Sequence, residues 1–235
     1  MRRVLFVCAT RETEARFHAS SPLAASLRRC GECTPVALRL FASNAAALGA
    51  CYNAAIAEAQ SDDVLVFVHD DVHLDDWAAA LRVAEALGHF DVVGVAGNRR
   101  RHRGQRAWHL QPARAEGGVL VPECWDKDFL SGAVAHGMPG AARVTVYGPT
   151  PAPVRLLDGV FLAARAQRLR EAGVRFDPGL GFHFYDLDLC RSAEQAGLSL
   201  GTWPVALTHA SAGQSILSDA WERACAAYLA KWGEV

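Results

Sequence analysis

Val64 to Val68 is an unbroken run of Val, Leu and Phe that stops abruptly on His69-Asp70-Asp71. A strand that is apolar on both faces must be covered on both, which restricts the chain to α/β architectures with helices packed on a central sheet. The surrounding pattern repeats the theme. Val4 to Cys8 and Pro35 to Phe41 read as further strands, with Pro22 to Arg29 a short amphipathic helix between them. Ser43 to Ala59 is Ala-rich and reads as a helix capped by Ser43-Asn44. Trp77, Leu81, Ala84 and Leu87 recur at helical spacing, and Asp91 to Ala96 forms a strand closed by Gly97. Strands alternating with helices predict a mostly parallel central sheet flanked by helices.

The second half is less regular. Asn98 to Pro153 sustains no period and reads as a long functional loop or irregular subregion. Leu156 to Ala163 reads as a strand broken by Asp158-Gly159, Gln167 to Ala172 as a helix, and Asp177-Pro178-Gly179 as a turn. Asp186 to Ala196 is a helix with acids in its first turn and Gly197 at its end. Ser199 to Leu207 is the last strand, followed by Thr208-His209-Ala210-Ser211-Ala212-Gly213. From Ser218 a final helix carries Trp221, Cys225, Tyr228 and Trp232 on one face. No repeat or linker divides the chain, so a single domain over all 235 residues is expected.

Charge narrows the function classes. The 24 basic residues nearly cancel the 25 acidic ones, leaving a net charge of -1 and no broad field for a polyanion. This argues against a nucleic-acid or membrane-surface partner. No apolar run approaches the roughly 20 residues of a membrane span, and Met1 to Cys8 lacks the core and cleavage site of a signal peptide, so a cytoplasmic location is expected. Seven cysteines, an odd number in a chain of this size, point to reduced thiols. Cys30-Gly31-Glu32-Cys33 lacks the second pair that a zinc site needs and reads as a coincidence.

Acids directly after a buried strand are the most informative chemistry, because ligands of open α/β sheets bind at the carboxyl ends of strands. Adjacent Asp70 and Asp71 are costly to ionise together unless a cation neutralises them, and oxygen ligands suit Mg2+ or Mn2+. Capping of the next helix is the alternative, although Asp75 and Asp76 lie nearer to it. Asp186, flanked by aromatics in Phe182-His183-Phe184-Tyr185-Asp186-Leu187-Asp188, has the surroundings of a general base with a raised pKa. The same acids at a helix start also complement the helix dipole. The stretch Asn98 to Arg106, with five arginines, is either a loop closing on an anionic group or a solvated basic loop.

Taken in order, these segments resemble the GT-A glycosyltransferases of the family 2 type, and most closely the branch with the streptomycin-biosynthesis-type glycosyltransferase domain. The resemblance is carried by Ser43-Asn44 with Ala50 to Ile56, Leu65 to Val72, Val93 to Gly97, Leu157 to Leu162, and Gly181 to Cys190, and it runs from about residue 40 to about residue 213. It implies a GT-A fold whose residues 1–97 form a nucleotide-binding half and 98–235 an acceptor-binding half. It implies a metal-dependent, inverting transfer from a nucleotide-diphosphate sugar to a glycan or small-molecule acceptor. Asp71 and His209 would hold the divalent metal, Mn2+ or Mg2+, and Asp186 would be the catalytic base. Thr10, Arg11, Asn53, Asp70, Asp158, Gly159, Tyr185 and Asp188 would contact donor or acceptor. Two positions depart from the family pattern: His69 stands where the first Asp of the Asp-x-Asp motif often is, and Tyr185 replaces the Glu of a Glu-Asp pair. Those departures leave a non-catalytic nucleotide-sugar or glycan-binding relative as an alternative, and the same acids would also serve a metal-dependent nucleotide-sugar hydrolase.

Overall fold

The computed structural model describes residues 3–117, 119–211 and 218–234. Residues 212–217, where the family resemblance ends, lie outside the described residues. Seven helices are seen among the described residues: α1 (Glu14–Ser20), α2 (Pro22–Cys33), α3 (Leu48–Glu58), α4 (Ala79–Ala86), α5 (Ala166–Glu171), α6 (Tyr185–Gln195) and α7 (Asp219–Lys231). None is long and apolar enough to cross a membrane.

The fully apolar runs become the centre of the main sheet, as their composition requires. Val4–Ala9 pairs in parallel with Val36–Phe41 on one side and Val64–Val68 on the other. The sheet continues through Phe161–Arg165, Val92–Gly94, Leu200–Thr202 and Ala152–Pro153. Three of its six strand pairings are parallel and three antiparallel, so it is mixed rather than mostly parallel. The reason is Phe161–Arg165, which enters by a turn instead of a crossover helix and lies antiparallel to both neighbours.

A second sheet holds Leu156–Leu157, Ala96–Asn98, Leu130–His136, Leu207–His209 and Val72–Leu74, with Arg143–Gly148 paired to Leu130–His136. Much of the stretch read as a long loop is therefore sheet. Its strands are short and Leu130–His136 is rich in Gly and Ala, so no β-branched alternation marks it. Two segments read as single strands divide between the sheets. Asp91 to Ala96 becomes Val92–Gly94 and Ala96–Asn98, and Ser199 to Leu207 becomes Leu200–Thr202 and Leu207–His209.

Two helix readings shift. Helix α3 starts at Leu48 behind Ala47, with no side-chain cap. The Asn44 side chain instead bonds Ala46 at both N–H and C=O, and Ser43 adopts a left-handed φ of 49°. This is the local competition that Asn offers to a helix start. In α4 the buried face is Ala79, Ala80, Val83 and Ala86, whereas Leu81 and, ahead of the helix, Trp77 are about half exposed. Small residues let this helix approach its neighbours closely, and of the residues at the expected spacing only Leu87 is buried.

Register sets the site. His209 lies opposite Val72 in the second sheet, and Ala210 N–H donates to Asp71 C=O at 2.9 Å, which brings a residue from late in the chain beside the first acidic cluster. Phe161 lies opposite Val68 in the main sheet, so the Asp158-Gly159 turn falls beside His69. Under both, Tyr52, Phe67 and Phe176 pack with ring centroids 4.8 to 5.0 Å apart, a fully buried floor for the first turn of α6.

Candidate active site

His69, Asp71 and His209 each offer one ligand atom within 4.8 Å of the others. Asp71 Oδ2 is 3.3 Å from His209 Nε2. Asp71 Oδ1 is buried and has no hydrogen-bond partner among the described residues. Burial pushes the Asp71 carboxyl up, but the hydrogen bond and charge of His209 outweigh it and hold it below its ordinary range. For His209 burial works downward, and Asp71 prevails to leave its pKa raised. His69 is held low, chiefly by burial, with His209 lowering it further against the acids around it.

Asp186 lies across from this trio at the start of α6. Its carboxylate accepts the Gly159 N–H at 3.0 Å and the Leu187 N–H at 2.9 Å. Burial and then the neighbouring Asp158 push its pKa up to about 7, against those hydrogen bonds. Tyr185, immediately before it, donates its hydroxyl proton to Gly159 C=O at 2.9 Å and lies 2.8 Å from His69 Nε2. Gly159 permits this packing, since a Cβ there would stand 2.3 Å from the tyrosine hydroxyl and 3.0 Å from Asp186 Cβ.

A cavity of about 260 Å³ opens over these groups, lined by His69, Asp158, Gly159, Tyr185 and Asp186 on its polar side. Trp108, Phe182 and Trp221 form its aromatic side, a pattern suited to a ring with hydroxyls. A second cavity of about 170 Å³ lies at the end of Val4–Ala9, lined by Thr10, Ser21, Asp70 and Asp71 among others. There the Thr10 hydroxyl donates to Asp70, and Ser21, the cap of α2, donates to Asp70 C=O at 2.6 Å. His69 lines the larger cavity and Asp71 the smaller; His209 lines neither but stands within ligand distance of both residues.

Not every candidate residue falls here. Arg11 is exposed and lines neither cavity. The Asn53 amide bonds the Phe176 backbone in both directions, at 2.8 and 3.0 Å, and ties α3 to the segment ahead of α6. Asp188 is wholly buried and accepts from Lys231 Nζ at 2.9 Å and Trp232 Nε1 at 2.9 Å. Two residues on a helix lie about 200° apart, so Asp186 and Asp188 cannot share a cavity. Of the basic stretch, Arg100 pairs with Asp126 and Arg101 with Glu194 and Glu234, whereas Arg106, paired with Glu123, also lines the larger cavity. The lone Cys30/Cys33 pair ends α2, and all seven cysteines are free. His69 as a ligand and Trp108, Phe182 and Trp221 as cavity walls were missed in the sequence; the His-x-Asp spacing at a strand end was the available signal for the first.

No protein-family model matches the chain, and no curated protein does. Solved structures do. That of GalNAc-T7 with UDP, GalNAc and Mn2+ superimposes over 99% of this chain at 12% identity, with a TM-score of 0.50. The chain has the GT-A fold. It covers 49% of the GalNAc-T7 chain, about half its length. Lower similarity is found to a Drosophila beta-1,4-galactosyltransferase 7 complex with manganese, UDP-Gal and xylobiose, at 8% identity over 95% of this chain and 79% of that one, TM-score 0.49. A mannosyltransferase from Pyrobaculum calidifontis with GDP-Man and Mn2+ matches at 14% identity over 92% and 59%, TM-score 0.46. In the GT-A frame the trio and Asp186 stand at the strand ends, where α/β sheets place their ligands.

Proposed function

We propose that this chain is a metal-dependent glycosyltransferase of the family 2 type, moving a hexose from a nucleoside-diphosphate sugar to an acceptor hydroxyl with inversion. The observation that carries this reading is a His-Asp-His trio whose His69 lines the same cavity as Asp186, a carboxylate with a pKa of about 7. The buried, unpartnered Asp71 Oδ1 has the environment of a ligand atom, and the trio fits a divalent cation. Two imidazoles with one carboxylate favour Mn2+ over Mg2+, which prefers an all-oxygen shell. A divalent cation held there would offset the charge that develops on the departing diphosphate.

The chain's own residues supply the rest. Thr10, Asp70 and Ser21 line the side on which the nucleotide half of the donor would lie, within the half formed by residues 1–97. Asp186 takes the proton of the acceptor hydroxyl as that oxygen attacks the anomeric carbon and the bond to the diphosphate breaks. A pKa near 7 suits that task, because a large fraction of the group is ionised at neutral pH yet it is basic enough to bind the proton. Trp108, Phe182 and Trp221 line the cavity around it and offer ring faces to a sugar acceptor. The seven free thiols accord with a reducing, cytoplasmic setting.

The test is incubation with Mn2+ and a panel of UDP- and GDP-sugars in the presence of candidate acceptors, reading nucleoside-diphosphate release and the anomeric configuration of the product. Transfer that Asp186→Asn abolishes without loss of metal binding is the expected result. Donor binding without turnover, or an Asp186→Asn variant as active as the parent, would overturn the reading.

A further inference from the structure

The two departures from the family pattern meet in space. His69 Nε2 and the Tyr185 hydroxyl oxygen are 2.8 Å apart, and that hydroxyl also lies 2.9 Å from Gly159 C=O. We propose that Tyr185 is a positioning residue that fixes His69 as the Nε2–H tautomer and turns its Nδ1 lone pair toward a cation shared with Asp71 and His209. This rests on the cation-site reading above and deepens it.

The argument is one of proton count. A phenol has a single proton, and a carbonyl oxygen can only accept. If Tyr185 donates to Gly159 C=O, its contact with His69 is satisfied only by donation from Nε2–H. A neutral imidazole has one N–H, so Nδ1 then carries the free lone pair. No hydrogen bond to Nδ1 is made among the described residues. The opposite arrangement, with Tyr185 donating to Nε2, takes the hydroxyl proton from Gly159 C=O and creates an Nδ1–H with no acceptor among the described residues. That arrangement strips the buried Gly159 C=O of its donor.

The tyrosine is held for this role. It is 3% exposed, its ring packs near Tyr52, Phe176 and Phe182, and the absent side chain of Gly159 leaves room for its hydroxyl. Orientation of a ligating histidine through its second nitrogen is a general device of metal sites. Here the partner is a phenol anchored on a backbone carbonyl. Either departure alone removes an acid from the family pattern; together they form one hydrogen-bonded unit in which a neutral ligand is aimed by a neutral donor and acceptor.

The experiment is titration of Co2+ and Mn2+ into the full chain and into Tyr185→Phe, His69→Ala and the double variant, followed by calorimetry and by the visible spectrum of the Co2+ form. Tyr185→Phe is expected to weaken binding about 10- to 100-fold and to alter the Co2+ spectrum. In the His69→Ala background the same change should have no further effect. Parent-like affinity in Tyr185→Phe, or an equal loss in both backgrounds, overturns the positioning role while leaving the cation site intact. Failure of the parent to bind either ion overturns the cation-site reading itself, and the proposal with it. Should Tyr185→Phe not fold, the imidazole 15N shifts of His69 in the metal-free parent decide the tautomer directly: Nε2–H supports the proposal and Nδ1–H ends it.

Discussion

The Asp71 carboxylate approaches His209 Nε2 at 3.3 Å through one oxygen, while its other oxygen is buried with no hydrogen-bond partner among the described residues. A single group thus combines a charge held by one imidazole with an oxygen available to a cation. Ligands that bind only the native state stabilise it by mass action, about 2.7 kcal/mol at a hundredfold excess over Kd. Mn2+ is therefore expected to raise Tm and EDTA to reverse the rise. Asp71→Asn and His209→Ala should each abolish the shift. A metal-induced increase retained in both variants would place the ion elsewhere.

Asp186 makes both rate and stability depend on pH. Its pKa of about 7 lies above the ordinary carboxylate range, so the unfolded chain releases this proton near pH 4 while the native state keeps it to near neutrality. Between those values the native state binds more protons, and stability falls as pH rises. The loss is of the order of a few kcal/mol and is complete above pH 7. Tm measured from pH 5 to pH 8 should fall more steeply for the parent than for Asp186→Asn. Transfer activity should rise over the upper part of the same range, with a midpoint about pH 7. Equal slopes for parent and variant would remove Asp186 as the titrating group.

Gly159→Ala tests the close packing beneath the site. The new methyl would stand 2.3 Å from the Tyr185 hydroxyl and 2.6 Å from its Cζ, and neither atom can withdraw into a filled aromatic core. Overpacking of this kind costs about 1–3 kcal/mol. The Tyr185 hydroxyl and Asp186 would both be displaced, so activity is expected to fall by more than the lost stability explains, as read from kcat on the folded fraction.

Asp188→Asn separates the two acids of the first α6 turn. Asp188 receives Lys231 and Trp232, fastens α7 onto α6 and lines neither cavity. Substitution should lower Tm by an amount corresponding to about 1–3 kcal/mol and leave kcat of the folded enzyme unchanged. A selective loss of kcat would return Asp188 to the site.

That pair also shows what a sequence can and cannot display. The strand Val64–Val68 and the acids at its end were legible because an all-apolar run has few ways to be buried and its polar terminus faces a ligand edge. Asp186 and Asp188 looked alike in sequence, and only the docking of α7 tells them apart. His209 was legible as a late residue after a strand, but its place beside Asp71 depends on a register between strands more than a hundred residues apart. The sheet within 98–153 was not legible as a whole, because most of its strands have two or three residues and the longer Leu130–His136 carries Gly and Ala in place of β-branched alternation.

The basic stretch gives the last test. Arg100 donates to Asp126, which is 2% exposed and is also bonded by Asn98 at 3.1 Å and His102 at 3.2 Å. Its guanidinium lies 3.6 Å from the centroid of the Phe129 ring, so its charge and its flat face are both in use. An arginine so engaged fastens a turn to the second sheet and is not available to a phosphate. Arg100→Ala removes the bidentate partner of a buried carboxylate and is expected to cost about 1–3 kcal/mol, seen as a lower denaturation midpoint. The Kd for a nucleoside diphosphate with Mn2+ should be unchanged, and so should its salt dependence. A weaker Kd with a flatter salt dependence in Arg100→Ala would show instead that this arginine leaves Asp126 to meet the diphosphate.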